Sequence, residues 1–479
     1  VERVSDGAVA AAEGARMAHP YMANSVERLV EEMLAETGAG SVEELFTQVP
    51  AEHRLRRPLE LPPALTSEAA LERHLSELLD RNLSAADALS FLGAGTYRHY
   101  VPAICDEVAG RWEWATSVWG SPSSDHGRFQ AWFEFQSQLG ELLELDFVGL
   151  PVYSWGCAAG HALRMAARMT GRRRVIVSTA VDPERAAVIA SYCGRRELER
   201  HLELERVGYD PARGTTDLAA LLPRLGGDVA AVYLESPNVF GVIEDGVAEL
   251  AAVAASAGVE VVLGSDPISL GVLAPPGQLG VGLAVGTIQT LGVHPNAGGG
   301  VGGFIASRDE ERYAREYPTL QVSLCPTSQP GERGFGMALF EQSSYGAREQ
   351  GKDWTGNSVY MWAIAATTYM AVMGPAGFEE LGEAVLQRSH DAAARLAEIP
   401  GVAVRFPTGF FREVVVDFSG TNRSVAEIDA ALREQRIIGG LDLSRRFPEL
   451  GQSALYCFTE QHSAEDVDRL AGALWKVVQ

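Results

Sequence analysis

The 479-residue chain contains two lysines, Lys352 and Lys476. A lysine amine can be tuned into a nucleophile that condenses with carbonyls, whereas an arginine stays protonated and cannot. Imine chemistry therefore has two possible seats. Other segments have the residue types that a bound cofactor would use. Ser154-Trp-Gly-Cys-Ala-Ala-Gly-His161 turns into a helix, and a helix start presents free N–H groups to anions. Cys157 and Ala158 lack the hydroxyl and amide groups that help hold a phosphate, so Gly156 could equally belong to a plain glycine turn. Asp266 follows the apolar run Val259-Glu-Val-Val-Leu263 and precedes Pro267, where it could face a cationic ring or cap a turn. Gln289 lies 23 residues further on, just before a glycine-rich stretch. A lysine there would complete the set, but an amide cannot form an imine.

Histidines and tyrosines supply the remaining candidates. Phe91-Leu-Gly-Ala-Gly-Thr-Tyr-Arg-His-Tyr-Val-Pro102 carries Tyr97, His99 and Tyr100 on a glycine-rich loop, as donors for a carboxylate or as packing. Asp125 and His126 stand in Pro122-Ser-Ser-Asp-His-Gly127, placed to move protons or simply to be solvated. His161 and His294 fall close to the same motifs, with core or interface packing as the default. The five cysteines are scattered, with no CxxC pair, which signals neither a zinc knuckle nor a dithiol couple and fits a reducing cytoplasm.

These residues must be positioned by ordinary globular structure. The chain is 46% hydrophobic and 22% charged, and its net charge of −23 disfavours nucleic acid as the main partner. Residues 1–90 read as a helical arm, with serine-led starts at Ser25, Ser41, Ser67 and Ser84 and an extended proline-rich stretch from Arg54 to Thr66. A long helix is expected over Gly127–Leu145. Between about 150 and 310, strands at Arg174–Ser178, Asp228–Leu234 and Val259–Leu263 alternate with helices, and Gly298–Ala306 begins another strand. That alternation is the mark of a doubly wound, mostly parallel sheet. Val359–Met373 would span roughly 22 Å as a helix, short of a bilayer core of about 30 Å, and reads as a buried helix ending at Gly374-Pro375. Strands at Val414–Phe418 and Ala454–Thr459, with helices opening at Ser424 and Ser463, make a smaller α+β unit. The expected division is 1–90, 91–378 and 379–479. Val1–Ala18 is acidic and lacks an apolar run, so no signal peptide is expected.

A helical arm, a large α/β domain and a small α+β domain resemble the layout of fold-type I pyridoxal-phosphate (PLP) transferases. The likeness sharpens at named segments. His19-Pro-Tyr-Met-Ala-Asn24, the Phe91–Pro102 loop, Glu235-Ser-Pro-Asn-Val-Phe-Gly-Val-Ile-Glu-Asp245, Asp266-Pro-Ile-Ser-Leu-Gly271, Ile437-Ile-Gly-Gly-Leu-Asp-Leu443, Pro448-Glu-Leu-Gly451 and Thr459-Glu460 occur in order. Together they resemble the alpha subunit of two-subunit glycine decarboxylase, the P-protein of the glycine cleavage system. The resemblance implies a degenerate copy of a PLP-bearing beta subunit, which supplies the lysine in a heterotetramer of two alpha and two beta subunits. It implies loss of CO2 from glycine and transfer of the aminomethyl group to a lipoylated H-protein. In such a chain Gly156, Asp266, Gln289 and His294 would line a vestigial pocket.

Three segments depart from the family pattern. Ser123 replaces a glutamate, Arg348–Asn357 loses adjacent arginines, and Pro326–Met337 differs throughout. These departures leave room for a paralogue acting on glycine or a related amino acid with another acceptor, or for a silent scaffold subunit.

Overall fold

The computed structural model describes residues 21–55, 57, 59–114, 126–197, 200–295, 301–342, 344–352 and 359–479. It separates into two units, Val1–Asn82 and Leu83–Gln479. In the first unit, helices α1 (Glu27–Thr37) and α2 (Glu68–Leu79) have no buried residue. Two expected serine caps are corrected here. Ser25 donates its hydroxyl to Met22 O at 2.6 Å, one residue ahead of the cap position. Ser41 precedes a 3-10 turn, Val42–Phe46, without a side-chain cap bond.

The second unit begins with a turn. Ser84 Oγ donates to Asp87 Oδ2 at 2.6 Å and Ser84 O accepts from Asp87 N at 3.0 Å, so this segment closes locally rather than opening the expected helix. The chain then runs through β1 (Leu89–Ser90), α3 (Ala103–Ala109), α4 (His126–Leu143), β2 (Phe147–Val148), α5 (Trp155–Thr170), β3 (Arg174–Ser178) and α6 (Pro183–Cys193). It continues with β4 (Glu203–Val207), β5 (Val229–Glu235), α7 (Val247–Ala257), β6 (Glu260–Ser265), β7 (Leu283–Thr287) and β8 (Gly303–Ser307).

These strands form a seven-stranded sheet in the order β2-β8-β7-β6-β5-β3-β4. The strands β4, β3, β5, β6 and β7 are parallel, and β8 and β2 each pair antiparallel with their neighbour. β5 and β6 are buried along their whole length, which is why they read as unbroken apolar runs. The winding reverses between β3 and β5, and such a switch opens a crevice at the carboxyl ends of the strands. α5 runs back across the sheet, starting at that edge and ending at the opposite one. Its start is capped by Ser154 Oγ, which accepts from Cys157 N at 3.2 Å.

The rest of the unit comprises the hairpin β9 (Gln321–Pro326) and β10 (Arg333–Ala338), helix α8 (Tyr360–Ala397), and β11 (Ala403–Val404), β12 (Glu413–Asp417), α9 (Val425–Glu434), β13 (Ile437–Ile438), β14 (Leu441–Asp442), β15 (Ser453–Cys457) and α10 (Ala464–Val478). α8 is broken at Gly374, whose φ of 58° and ψ of 179° are non-helical, next to Pro375. The antiparallel sheet β11-β12-β15-β14 is covered by α9 and α10, which open at the expected Ser424 and Ser463, each with a capping box. Phe91 joins the core beneath this sheet, and Leu89 pairs with Ile437, so both ends of the strand preceding the candidate loop are held by the C-terminal region. No described helix is long and apolar enough to cross a membrane.

Candidate functional site

The loop after β1 reaches the carboxyl edge of the large sheet. Its backbone passes too close to its neighbours for side chains at two glycines. A Cβ on Gly93 would lie 2.4 Å from Glu413 Oε1, and one on Gly95, at φ 96°, would lie 2.2 Å from Arg185 Nη1. Glu413 Oε1 accepts from Ala94 N at 2.6 Å and Glu413 Oε2 from the Tyr97 hydroxyl at 3.0 Å. Burial pushes both groups upward, with the neighbouring Glu413 charge adding to the effect on Tyr97.

Gln289 fastens the other side of the loop. Its Oε1 accepts from Tyr97 N at 3.0 Å, and its Nε2 donates to Tyr97 O at 2.9 Å and to Val293 O at 3.2 Å. Both functions of the amide are used. A lysine at this position could donate but could not accept the Tyr97 N–H.

Asp266 follows β6 at the same edge and forms a buried ion pair with Arg412. The Arg412 guanidinium lies 3.7 Å over the Tyr97 ring and donates from Nη1 to His99 Nε2 at 2.7 Å. A guanidinium has no acceptor, so His99 Nε2 must carry the lone pair and Nδ1 the proton. That Nδ1–H donates to Glu460 Oε2 at 2.7 Å, while Glu460 Oε1 accepts from Tyr100 N at 2.6 Å. Burial, with Arg412 alongside, lowers the His99 pKa and keeps the ring neutral. Burial opposes ionisation of Glu460, but the bonds from His99 and Tyr100 outweigh it and hold that carboxyl at about 2. The result is a line of groups, Asp266–Arg412–His99–Glu460–Tyr100, leading from the sheet edge to a tyrosine that is 61% exposed.

Arg412 adopts φ 61°, a left-handed conformation that costs a non-glycine residue about 1–3 kcal/mol. Its packing and pairing offset that strain. A second arginine closes the switch crevice: Arg185 donates to Glu235 Oε1 and Oε2 at 2.8 and 2.7 Å and lies 4.4 Å over the Trp155 ring.

The structure brings Tyr97, His99, Asp266 and Gln289 together. Gly156 lies in the first turn of α5, where an added Cβ would meet Val188 at 3.0 Å, so its role is close packing against α6. His294 corrects the sequence expectation: it is exposed and pairs with Asp106 at 3.1 Å, outside the cluster. His161 is buried edge-on against Tyr192, as a core histidine. Asp125 lies outside the described residues, and for His126 only its place at the start of α4 is described. Arg412, Glu413 and Arg185 were not singled out from sequence. Glu460 and Glu235 were, but only as parts of motifs. No group of three or more described His, Cys, Asp or Glu residues could hold a metal ion.

The groups expected to receive PLP do not fit it. The amine is replaced by a doubly bonded amide, the acid already has a cation, and an arginine lies against the tyrosine ring. Lys352 pairs with Glu316 at 2.8 Å beside Arg172, ahead of β3, and so lies at the opposite edge of the sheet from Asp266.

Residues 20–474 match the family model described as glycine cleavage system P-protein. A relative from Staphylothermus marinus, "Probable glycine dehydrogenase (decarboxylating) subunit 1", is 33% identical over 96% of this chain and 98% of its own length. A crystal structure of glycine decarboxylase (P-protein) of the glycine cleavage system in inhibitor-bound form superposes with a TM-score of 0.82 at 32% identity, covering 94% of this chain and 98% of that one. The sphingosine-1-phosphate lyase of Burkholderia pseudomallei shares the fold alone, at 15% identity and a TM-score of 0.61 over 90% of this chain and 94% of its own. The fold is that of the fold-type I PLP-dependent transferases, and the chain belongs to the glycine cleavage system P-protein family.

Proposed function

We propose that this chain is the non-lysine-bearing alpha subunit of a glycine decarboxylase-like enzyme in the cytoplasm. A beta subunit would hold the PLP in a tetramer of two alpha and two beta subunits, and the aminomethyl group would pass to a lipoylated H-protein-like carrier. The observation that carries this proposal is the buried Asp266–Arg412 pair beside Gln289. It removes both the acid and the amine that this edge would need to hold the cofactor.

The loop residues then act on the partner's site. Tyr100 is the exposed side chain offered to it, and Glu460, His99 and Tyr97 set its position. Asp125 and His126, in the divergent segment, complete the proposed set as proton carriers. An autonomous enzyme using Lys352 is disfavoured by the place of that lysine at the opposite sheet edge.

The test starts with the chain alone plus PLP, followed by borohydride reduction. The expected result is no imine band and no reduced adduct. Co-expression with a lysine-bearing partner should then give glycine–bicarbonate exchange, and Tyr100→Ala should lower its kcat at least about tenfold while the subunits still copurify. A reduced adduct mapped to Lys352 would overturn the proposal.

A further inference from the structure

The amino edge of the large sheet carries a different kind of site. α5 ends at Thr170 and β3 begins at Arg174, so Arg172 and Arg173 lie between them at that edge. A cleft of about 420 Å³ opens here, and six of its ten lining residues are cations: Arg164, Arg168, Arg172, Arg173, Arg200 and Lys352. One carboxylate, Glu316, lines it among the described residues, in a chain whose net charge is −23.

The walls are held in place before any ligand arrives. Glu316 is shared between Arg168, at 2.5 Å to Nε, and Lys352, at 2.8 Å to Nζ. Arg172 Nη1 donates to Val229 O, Ala257 O and Gly258 O at 2.8, 3.2 and 2.8 Å. Arg173 and Arg200 are exposed at the rim. Cations gathered around one cleft repel one another, and a multiply charged anion relieves that repulsion with little loss of side-chain freedom. Guanidinium forks match phosphoryl oxygens two at a time, and the cleft has the size of small-molecule sites, at about 300–1,000 Å³.

We propose that this cleft binds a small molecule bearing two or more phosphoryl charges, at the edge of the sheet opposite Asp266 and Gln289. The cleft is separate from the proposed catalytic loop, and the proposal stands whether or not the subunit assignment does.

The full chain is titrated calorimetrically at 0.15 M salt with inorganic pyrophosphate, with citrate as a polycarboxylate control, and with metal-free ATP and fructose 1,6-bisphosphate as nucleoside and sugar sources. Saturable binding of one pyrophosphate per chain is expected, tighter than citrate and weakened at least tenfold by Arg173→Ser with Arg200→Ser. The organic phosphate that binds tighter than pyrophosphate identifies the source. The anion-free melting temperature of the double variant should equal or exceed the parent's, which shows that it folds and that the two arginines carry no structural load. Absence of saturable heat, tighter binding of citrate, or unchanged affinity in the double variant would overturn the site.

Discussion

The two edges of the large sheet handle charge in opposite ways. At the carboxyl edge two buried acids each have an arginine of their own: Asp266 has Arg412 and Glu235 has Arg185. The aromatic rings of Tyr97 and Trp155 lie beneath those arginines. At the amino edge six cations line an open cleft, with one carboxylate among its described lining residues. The same scaffold thus carries one edge where ion pairs act as internal packing and one where charge is left in excess for something outside the chain. A charge pair inside a fold is costly to break and contributes little to ligand binding, whereas like charges gathered around an open cleft cost some stability and can bind an ion of opposite charge.

Breaking the closed edge should have the largest effect. Arg412→Ala leaves Asp266 buried without its cation and His99 Nε2 without its donor, and should cost about 3–5 kcal/mol in denaturant unfolding. Arg412→Met combined with Asp266→Leu should recover most of that loss. A mild effect of the single change would place the pair on the surface and erase the contrast.

The next largest effect is set by pH. Glu460 is held near 2 against an ordinary value of 4.5, so the folded state binds its proton less readily than the unfolded chain. Its contribution is complete above about pH 4.5 and is lost as pH falls from there toward 2, by no more than about 3 kcal/mol. Glu460→Gln should flatten the stability–pH curve in that window and leave its slope above pH 5 unchanged. A parent curve that is already flat there would remove Glu460 from the closed network.

Gln289→Lys should cost about 1–3 kcal/mol, because the Tyr97 N–H loses its acceptor. It should still give no borohydride-trapped PLP adduct, since Arg412 stays on Asp266. A stable adduct at position 289 would show that the closed edge yields to a single change. The smallest effect belongs to the open edge. Arg173→Ser and Arg200→Ser should each shift anion-free stability by less than about 0.5 kcal/mol, and a loss of several kcal/mol would make that edge structural as well.

Much of this geometry could be read from the chain. Asp266 stood out because the end of β6 is a fixed point in an alternating fold, Gln289 because it falls 23 residues later, just before a glycine-rich stretch, and the Phe91–Pro102 loop through its glycines and aromatics. Arg412 did not. Its partner lies 146 residues earlier in the chain, and its left-handed backbone leaves no mark in a strand pattern. β4 was missed because an edge strand alternates charged residues, as Glu203, Glu205 and Arg206 do. β7 was missed because Leu283-Ala-Val-Gly-Thr is too poor in bulky residues to read as a strand. Ser84 misled because its bond to Asp87 serves a tight turn as well as it would serve a helix start.

The two-way amide bond of Gln289 has a consequence on another timescale. Once the side chain at this position both gives and takes a hydrogen bond with Tyr97, mutation back to an amine leaves a buried N–H unmet, while the arginine across the site still occupies the acid. Each such change taken alone lowers stability before it could add any chemistry. On the subunit reading proposed above, this acts as a ratchet: a lineage that reaches this arrangement would depend on its partner through stability alone, even if selection for the shared reaction were relaxed.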